Sequence, residues 1–353
     1  MTVDSGRRLF LDSVDDYLGP SESRFFGSGY RRVGYTISDT VLVGTGGTGG
    51  TGASGASGAS GGAGPSVRAR AGISYPPDWS TKAEGDELRP HLSTIDALIL
   101  AVRFAEFLAR HTHGLGERQR SEVRLHRVDI KAGSSAVEDG LGDLPVSAAA
   151  SGSAASADHP GTVISTYDCR VSGMKIRVEL IHEAGLPVPA GPHVDAQLGS
   201  GYPGLYGSGF QRTRQLIRDV AVDVAAGSAD ATVDVVPPDA REFVAGGLEA
   251  AYGPAVSLID SFVVALQLGQ ILLYETDGMK RGESNTLWMR RTTLTAGPAE
   301  LRPAGGSSRE TTSLEDAALV PAQGGLWRTA TIVGDVRGVR TRCVVTHRLP
   351  DRA

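Results

Sequence analysis

The sequence predicts an α+β protein built from two tandem copies of one unit, each an antiparallel sheet wrapped around a long buried helix. Three observations predict it. Four blocks of sequence recur in the same order in both halves, each half holds one long apolar helix candidate, and strand-like runs follow each helix.

The duplication is clearest in DDYLGPSESRFFGSGYRR (residues 15–32), which recurs without a gap as DAQLGSGYPGLYGSGFQR (195–212), with seven of 18 positions identical. SYPPD (74–78) is echoed by VVPPD (235–239), and PHLSTIDALILAVRFAE (90–106) by PAVSLIDSFVVALQLGQ (254–270). RVSGMKIRVELIH (170–182) matches DVRGVRTRCVVTH (335–347). The offset is 180 residues for the first block and 161, 164 and 165 for the others, so the first half carries extra residues between its first two blocks. Low-complexity residues 44–64 account for the difference. Gly44, Gly46 and Gly49 there have G-x-G-x-x-G spacing, but the run opens no helix and no acidic residue follows at ribose distance, so it reads as a flexible loop. The units are expected at 1–187, with the Gly/Ser-rich insert, and 188–353.

Residues 92–110 and 256–275 are apolar around most of their circumference, the pattern of a helix buried on nearly all sides. Ser93 and Ser257 can cap their starts, and Gly114 and Gly278 can end them. Strand-like runs follow at 122–130, 162–171 and 175–182, then at 286–295, 326–333 and 339–348, with Gly173 and Gly338 at hairpin turns. Residues 133–161, rich in Ala, Ser and Gly, read as a surface excursion. A sheet wrapped around one long apolar helix is the hotdog arrangement, and two in tandem make a double hotdog.

Composition excludes several functions. The chain has 353 residues, a formal net charge of -5 and no basic cluster of the kind that tracks a phosphate backbone, which argues against nucleic acid. Cys169 and Cys343 are too few for a disulfide framework, and no apolar run approaches the ~18 residues of a membrane span. A cytoplasmic location with reduced thiols is expected. No H-E-x-x-H, C-x-x-C or nucleophile elbow is present, so neither metal nor cofactor is expected.

Both helices carry polar groups at matching positions: Asp96, Arg103 and Glu106 in the first, Asp260, Gln267 and Gln270 in the second. Spacings of 7 and 10 residues keep each trio on one stripe. A buried unpaired carboxylate is costly, so the stripe marks a candidate site, with Asp96 or Asp260 as a base and Arg103 orienting substrate. The alternative is that both aspartates accept structural hydrogen bonds. His91, just before the first helix, could reach a substrate at the helix start, or be a loop histidine; its counterpart is Ala255. His182 and His347 read as structural. Lys280, Arg281, Arg290 and Arg291 could bind a phosphopantetheine or sugar phosphate, or simply face solvent. The glycine-bounded aromatics at 26–30 and 206–210 could form an anion nest or a tight turn.

SVDDYLGPSESRFFGSGYRR (13–32), ISYPPDWSTK (73–82), LSTIDALILAVRFAE (92–106) and SNTLWMRR (284–291) together resemble the avirulence D (AvrD) family over nearly the whole chain. The resemblance implies an enzyme of acyl sugar signal synthesis, joining a β-ketoacyl group from a thioester to a ketose such as xylulose in a syringolide-like product. The expected partners are then a β-ketoacyl thioester, on acyl carrier protein or CoA, and a small sugar, with a homodimer as a further option. The second helix also resembles that of polyketide dehydratase double hotdogs, at Pro254, Asp260 and Ala265 to Gln267. It departs from them in the first half, where Lys82 stands eight residues before Pro90 in place of a catalytic histidine. Butenolide-forming proteins are a chemical precedent. A hotdog thioesterase or dehydratase, and a non-catalytic acyl-ligand sensor, are the alternatives.

Overall fold

The computed structural model describes residues 8–43, 64–80, 89–157, 160–185, 198, 201–239, 246–284, 286–322 and 324–350. Most of the insert at 44–64 and the expected unit boundary at 187 lie outside them. In chain order the elements of the first half are β1 (Arg8–Ser13), α1 (Asp15–Leu18), β2 (Gly34–Val43), β3 (Ser66–Ser74), α2 (Thr94–His113), α3 (Glu117–Glu122), β4 (Arg124–Lys131), β5 (Leu144–Ala155), β6 (Thr162–Val171) and β7 (Met174–Glu183). The second half has α4 (Phe210–Arg212), β8 (Arg214–Asp223), β9 (Ser228–Val236), α5 (Leu258–Asp277), β10 (Trp288–Ala296), β11 (Ser307–Ala322), β12 (Gly325–Val336) and β13 (Val339–Arg348).

All thirteen strands belong to one antiparallel sheet in the order β1-β8-β9-β11-β12-β13-β10-β4-β7-β6-β5-β3-β2. The first half therefore runs β2-β3-β5-β6-β7-β4 and the second β8-β9-β11-β12-β13-β10, the same order twice. The halves join at β4 and β10. There Asp129 stands opposite its own counterpart Thr293, whose hydroxyl donates to Asp129 Oδ1 at 2.5 Å, so an approximate twofold axis passes between them. β1 pairs with β8, bringing the start of the chain to the edge of the second half's strands.

Strand burial alternates with period two, as in β9, whose Ala229, Ala231, Val233 and Val235 all face the core. α2 packs on β3 to β7, and α5 on β8 to β13. Each half is thus a six-stranded sheet around one long helix, the double hotdog the duplication predicts. α5 is long and apolar enough to cross a membrane by composition, but it is almost wholly buried as a core helix.

Two sequence expectations change. Residues 133–161 are not simply an excursion, since β5 lies within them, paired between β3 and β6. Its sequence LPVSAAASGSAA has little intrinsic strand preference, so neighbouring strands supply the order. The Pro-Pro-Asp echo aligns Ser74 with Val235, whereas pairing and burial align Ile73 with Val235, one residue away. Alternation fixes that register, because a one-residue slip would turn every core side chain outward.

The glycine-bounded aromatics form tight turns. A Cβ on Gly27 would fall 2.2 Å from Ser21 O, and one on its counterpart Gly207 1.9 Å from Tyr202 O. Close backbone approach, rather than positive φ, requires glycine at both places.

Candidate functional site

α2 and α5 begin in the same way. Ser93 accepts from the Asp96 N–H with its hydroxyl oxygen, and Asp96 Oδ2 accepts from the Ser93 N–H at 2.9 Å and hydroxyl at 2.6 Å. Ser257 and Asp260 repeat this box at 2.8 and 2.6 Å. The S-x-x-D spacing satisfies two orphan amides at a helix start. Asp96 further accepts from the Tyr35 hydroxyl at 2.6 Å and from Tyr75, and Asp260 from Gln215 Nε2 at 2.5 Å. Burial raises the pKa of both carboxyls despite these donors. Neither lines the cleft described next.

That cleft encloses about 220 Å³ between the start of α2, the flank of α5 and the first residues of β10. Its apolar lining includes Phe25, Phe26, Trp79, Leu92, Met174 and Met289, and its polar lining includes His91, Gln270, Tyr274, Arg281 and Arg290. Edge-on aromatic contacts hold one wall together, with ring centroids 5.5 Å apart for Phe25 and Trp79 and 5.8 Å for Trp79 and His91. His91 Nδ1 lies 3.3 Å from Arg89 O. A carbonyl can only accept, so Nδ1 carries the proton, and in the neutral tautomer this leaves the lone pair on Nε2.

The first residue of α2, Thr94, also lines this cleft. In α5 the equivalent Leu258 N–H donates to the Tyr206 hydroxyl at 3.2 Å. The counterpart of Tyr206 is Phe26, which has no hydroxyl, and Phe26 and Thr94 both line the cleft. No described residue accepts a hydrogen bond from the Thr94 N–H. This donor lies at the positive end of a 20-residue helix.

Among the described residues the twofold-related position is filled by buried polar side chains. Glu106 accepts from Arg120 Nε at 2.6 Å and from the Tyr202 hydroxyl, and is 1% exposed. Arg103 donates from Nε to Tyr206 O at 2.9 Å and lies 5.2 Å from the ring centroids of both Tyr35 and Tyr202. Arg302 stands where the first half has Val137: Leu92 N–H donates to Val137 O, and Val256 N–H to Arg302 O. The buried Arg302 guanidinium pairs with Glu249 at 2.5 Å. Burial raises the Glu249 pKa against the pull of Arg302.

The predicted residues therefore separate into groups. His91, Gln270 and Arg290 meet in the open cleft; Arg103 and Glu106 belong to its filled counterpart; Asp96 and Asp260 cap the helices. Gln267 accepts from Arg24 Nη1 at 2.6 Å just behind the open cleft. Phe26 belongs to the 26–30 segment read as an anion nest or a tight turn, and it lines the cleft as an apolar wall; its mismatch with Tyr206 between the copies is visible in the sequence. Both cysteines are free and buried, and burial pushes the Cys343 thiol up to about 12. Among the described residues no group of His, Cys, Asp and Glu is arranged to hold a metal.

Comparison with solved structures places the chain beside proteins of low identity. It is similar to a conserved protein of unknown function with a hot dog fold from Alicyclobacillus acidocaldarius, at 9% identity over 81% of this chain and 94% of that one, with a TM-score of 0.39. A 12:0-ACP thioesterase from Umbellularia californica is similar at 9% identity over 73% and 88%, with a TM-score of 0.35. A dehydratase of the borrelidin and fluvirucin polyketide synthases is similar at 16% identity over 82% and 91%, with a TM-score of 0.29. No curated protein sequence matches. The family model described as Pseudomonas avirulence D protein (AvrD) matches residues 9–350, and the chain belongs to the AvrD family.

Proposed function

We propose that the protein is an enzyme acting on acyl thioesters, and that it transfers a β-ketoacyl group to a hydroxyl of a small ketose such as xylulose, giving a syringolide-like acyl sugar. The observation that carries this reading is that His91 and Thr94, whose N–H has no acceptor among the described residues, line one apolar cleft. The aromatic wall binds the acyl chain, and the thioester oxygen accepts from the Thr94 N–H. His91 Nε2 takes the proton of the sugar hydroxyl as its oxygen attacks the carbonyl carbon. The C–O bond forms and the C–S bond breaks, and His91 returns the proton to the departing thiolate. Gln270 and Arg290 face the same space and orient the sugar. General-base help of this kind contributes roughly 10²- to 10⁴-fold, and donors on the developing oxyanion a comparable factor. The carboxylates Asp96 and Asp260 hold the helix ends and do not move the proton.

The test is incubation with β-ketodecanoyl pantetheine, with and without xylulose, following thiol release and product mass. Sugar-dependent release with a pentose adduct is expected, and His91→Gln should lower kcat by at least ~100-fold. Release without sugar would replace transfer by hydrolysis, and tight binding without release would leave an acyl-ligand sensor.

A further inference from the structure

Cross-strand register assembles a row of basic side chains on the face of the sheet turned away from the helices. Arg291 of β10 stands directly opposite Lys131 of β4, Lys131 opposite Lys175 of β7, and Lys175 opposite Arg170 of β6. Arg170 stands opposite Ser147 of β5, and Ser147 opposite Arg68 of β3. All five basic residues are exposed, and none makes a side-chain hydrogen bond or ion pair among the described residues. Four of the five line a shallow concavity of about 770 Å³.

Like charges directly opposite one another destabilise a sheet, so the fold itself gains nothing from this row. The second half supplies the control. Its equivalent positions hold Asp230 opposite Thr311, and Arg340 between Asp335 and Thr295. Mixed signs satisfy the same architecture there. The next row of the first half, Asp129 opposite Arg177 opposite Asp168, is neutralised as well, with Arg177 Nε 2.9 Å from Asp168 and Arg127, two residues along β4, reaching Asp129 at 2.6 Å. The row beside the open cleft holds five basic side chains, one serine and no carboxylate. The residues next to it in sequence, Ala132, Met174 and Arg290, line that cleft.

Neighbouring strands lie about 4.8 Å apart, so the five steps from Arg291 to Arg68 cover roughly 24 Å. A helix with acidic residues at i, i+3 or i+4 and i+7 presents carboxylates every 5–6 Å, and about 16 helical residues span 24 Å. Spacing and length both match such a helix, whereas the phosphates of a coenzyme, gathered at one end of the molecule, would engage only part of the row. We infer that this row is the docking surface for an acidic helix of an acyl carrier protein, whose pantetheine arm enters the open cleft past Met174 and Gly133. The inference rests on the acyl-thioester reading of that cleft and names the carrier of its substrate.

The experiment measures fluorescence anisotropy of a labelled bacterial acyl carrier protein bearing its pantetheine arm, against the wild type and Lys131→Glu/Lys175→Glu. The wild type is expected to bind at 50 mM salt and to weaken at least tenfold by 300 mM. The double variant should bind at least tenfold more weakly at 50 mM, with an unchanged or higher melting temperature because the like-charge stack is relieved. Equal affinity of the two proteins, or no binding by the wild type, overturns the proposal. So would a loss for the variant seen on the CoA thioester alone, which would make the row a nucleotide site. Turnover of β-ketodecanoyl pantetheine, which has neither carrier nor nucleotide, is measured alongside. Carrier binding without that turnover sinks the transfer reaction and leaves the docking surface standing; turnover without carrier binding does the reverse.

Discussion

Tyr206 closes with its hydroxyl the helix end that Phe26, its counterpart, leaves open. The contact is the 3.2 Å hydrogen bond from the Leu258 N–H, and in the first half the Thr94 N–H has no acceptor among the described residues, in a cleft that Thr94 and His91 both line. Phe26→Tyr should therefore give the Thr94 N–H a hydroxyl partner and silence the site. We expect kcat on the pantetheine thioester to fall at least ~100-fold, the scale of losing one oxyanion donor, with stability unchanged or raised by about 0.5–1.5 kcal/mol. Full activity in this variant would show that the amide is not a catalytic donor.

Asp96→Asn separates a cap from a base. The substitution weakens acceptance from the Ser93 N–H and from two tyrosine hydroxyls, so urea unfolding should show a loss of about 1–3 kcal/mol. Below the denaturation range, kcat should stay within about threefold of wild type, against at least ~100-fold for His91→Gln. A folded Asp96→Asn protein with kcat reduced ~100-fold would return the proton to the carboxylate.

The ion pair of Arg302 with Glu249 should behave as a unit. Both side chains are at most 2% exposed, so Arg302→Met leaves a buried carboxylate unpaired and should cost about 3–5 kcal/mol. Adding Glu249→Gln should recover most of that loss, a comparison made by a double-mutant cycle in chemical denaturation. Additive losses would mean that the pair is not coupled.

Acid should weaken the protein through a histidine pair at the far end of α2. Burial, and then the neighbouring His182, push His113 down to about 4, and burial lowers His182 as well. Their rings lie 4.4 Å apart, and His182 Nε2 is 2.8 Å from the Ser165 hydroxyl. In the unfolded chain these groups take up protons near pH 6.5. The folded value lies below the unfolded one, so the stabilisation is complete above about pH 7 and is lost as pH falls through 6.5 toward 4. For the partly buried His113 this amounts to about 1–2 kcal/mol between pH 7 and 5. The melting temperature should fall over that interval, and His113→Gln should flatten the slope; an identical slope in the variant would exclude this origin.

Much of the fold could be read in the sequence because period and punctuation agree there. Ser93 and Gly114 bound α2, Ser257 and Gly278 bound α5, and β6 and β13 fall where the strand pattern places them. β5 and the pairing of β1 with β8 could not be read, since both depend on partners distant in the chain. The site was legible only by comparing the two copies. Asp96 and Asp260 match each other, and matched polarity marks what both units need to fold. His91 against Ala255, and Phe26 against Tyr206, differ, and the differences coincide with the cleft that stays open.

The meeting of Asp129 with Thr293 at the joint between β4 and β10 has a genetic consequence. Two separate copies associating through that strand would form an isologous dimer, in which every substitution appears at both clefts at once. A change that plugged one with an arginine and a tyrosine hydroxyl would plug the other. Covalent fusion removes this constraint, because each copy then drifts on its own. One can shed its reactive groups and become ballast that stiffens the assembly, while its sibling keeps an exposed, less stable and chemically competent opening.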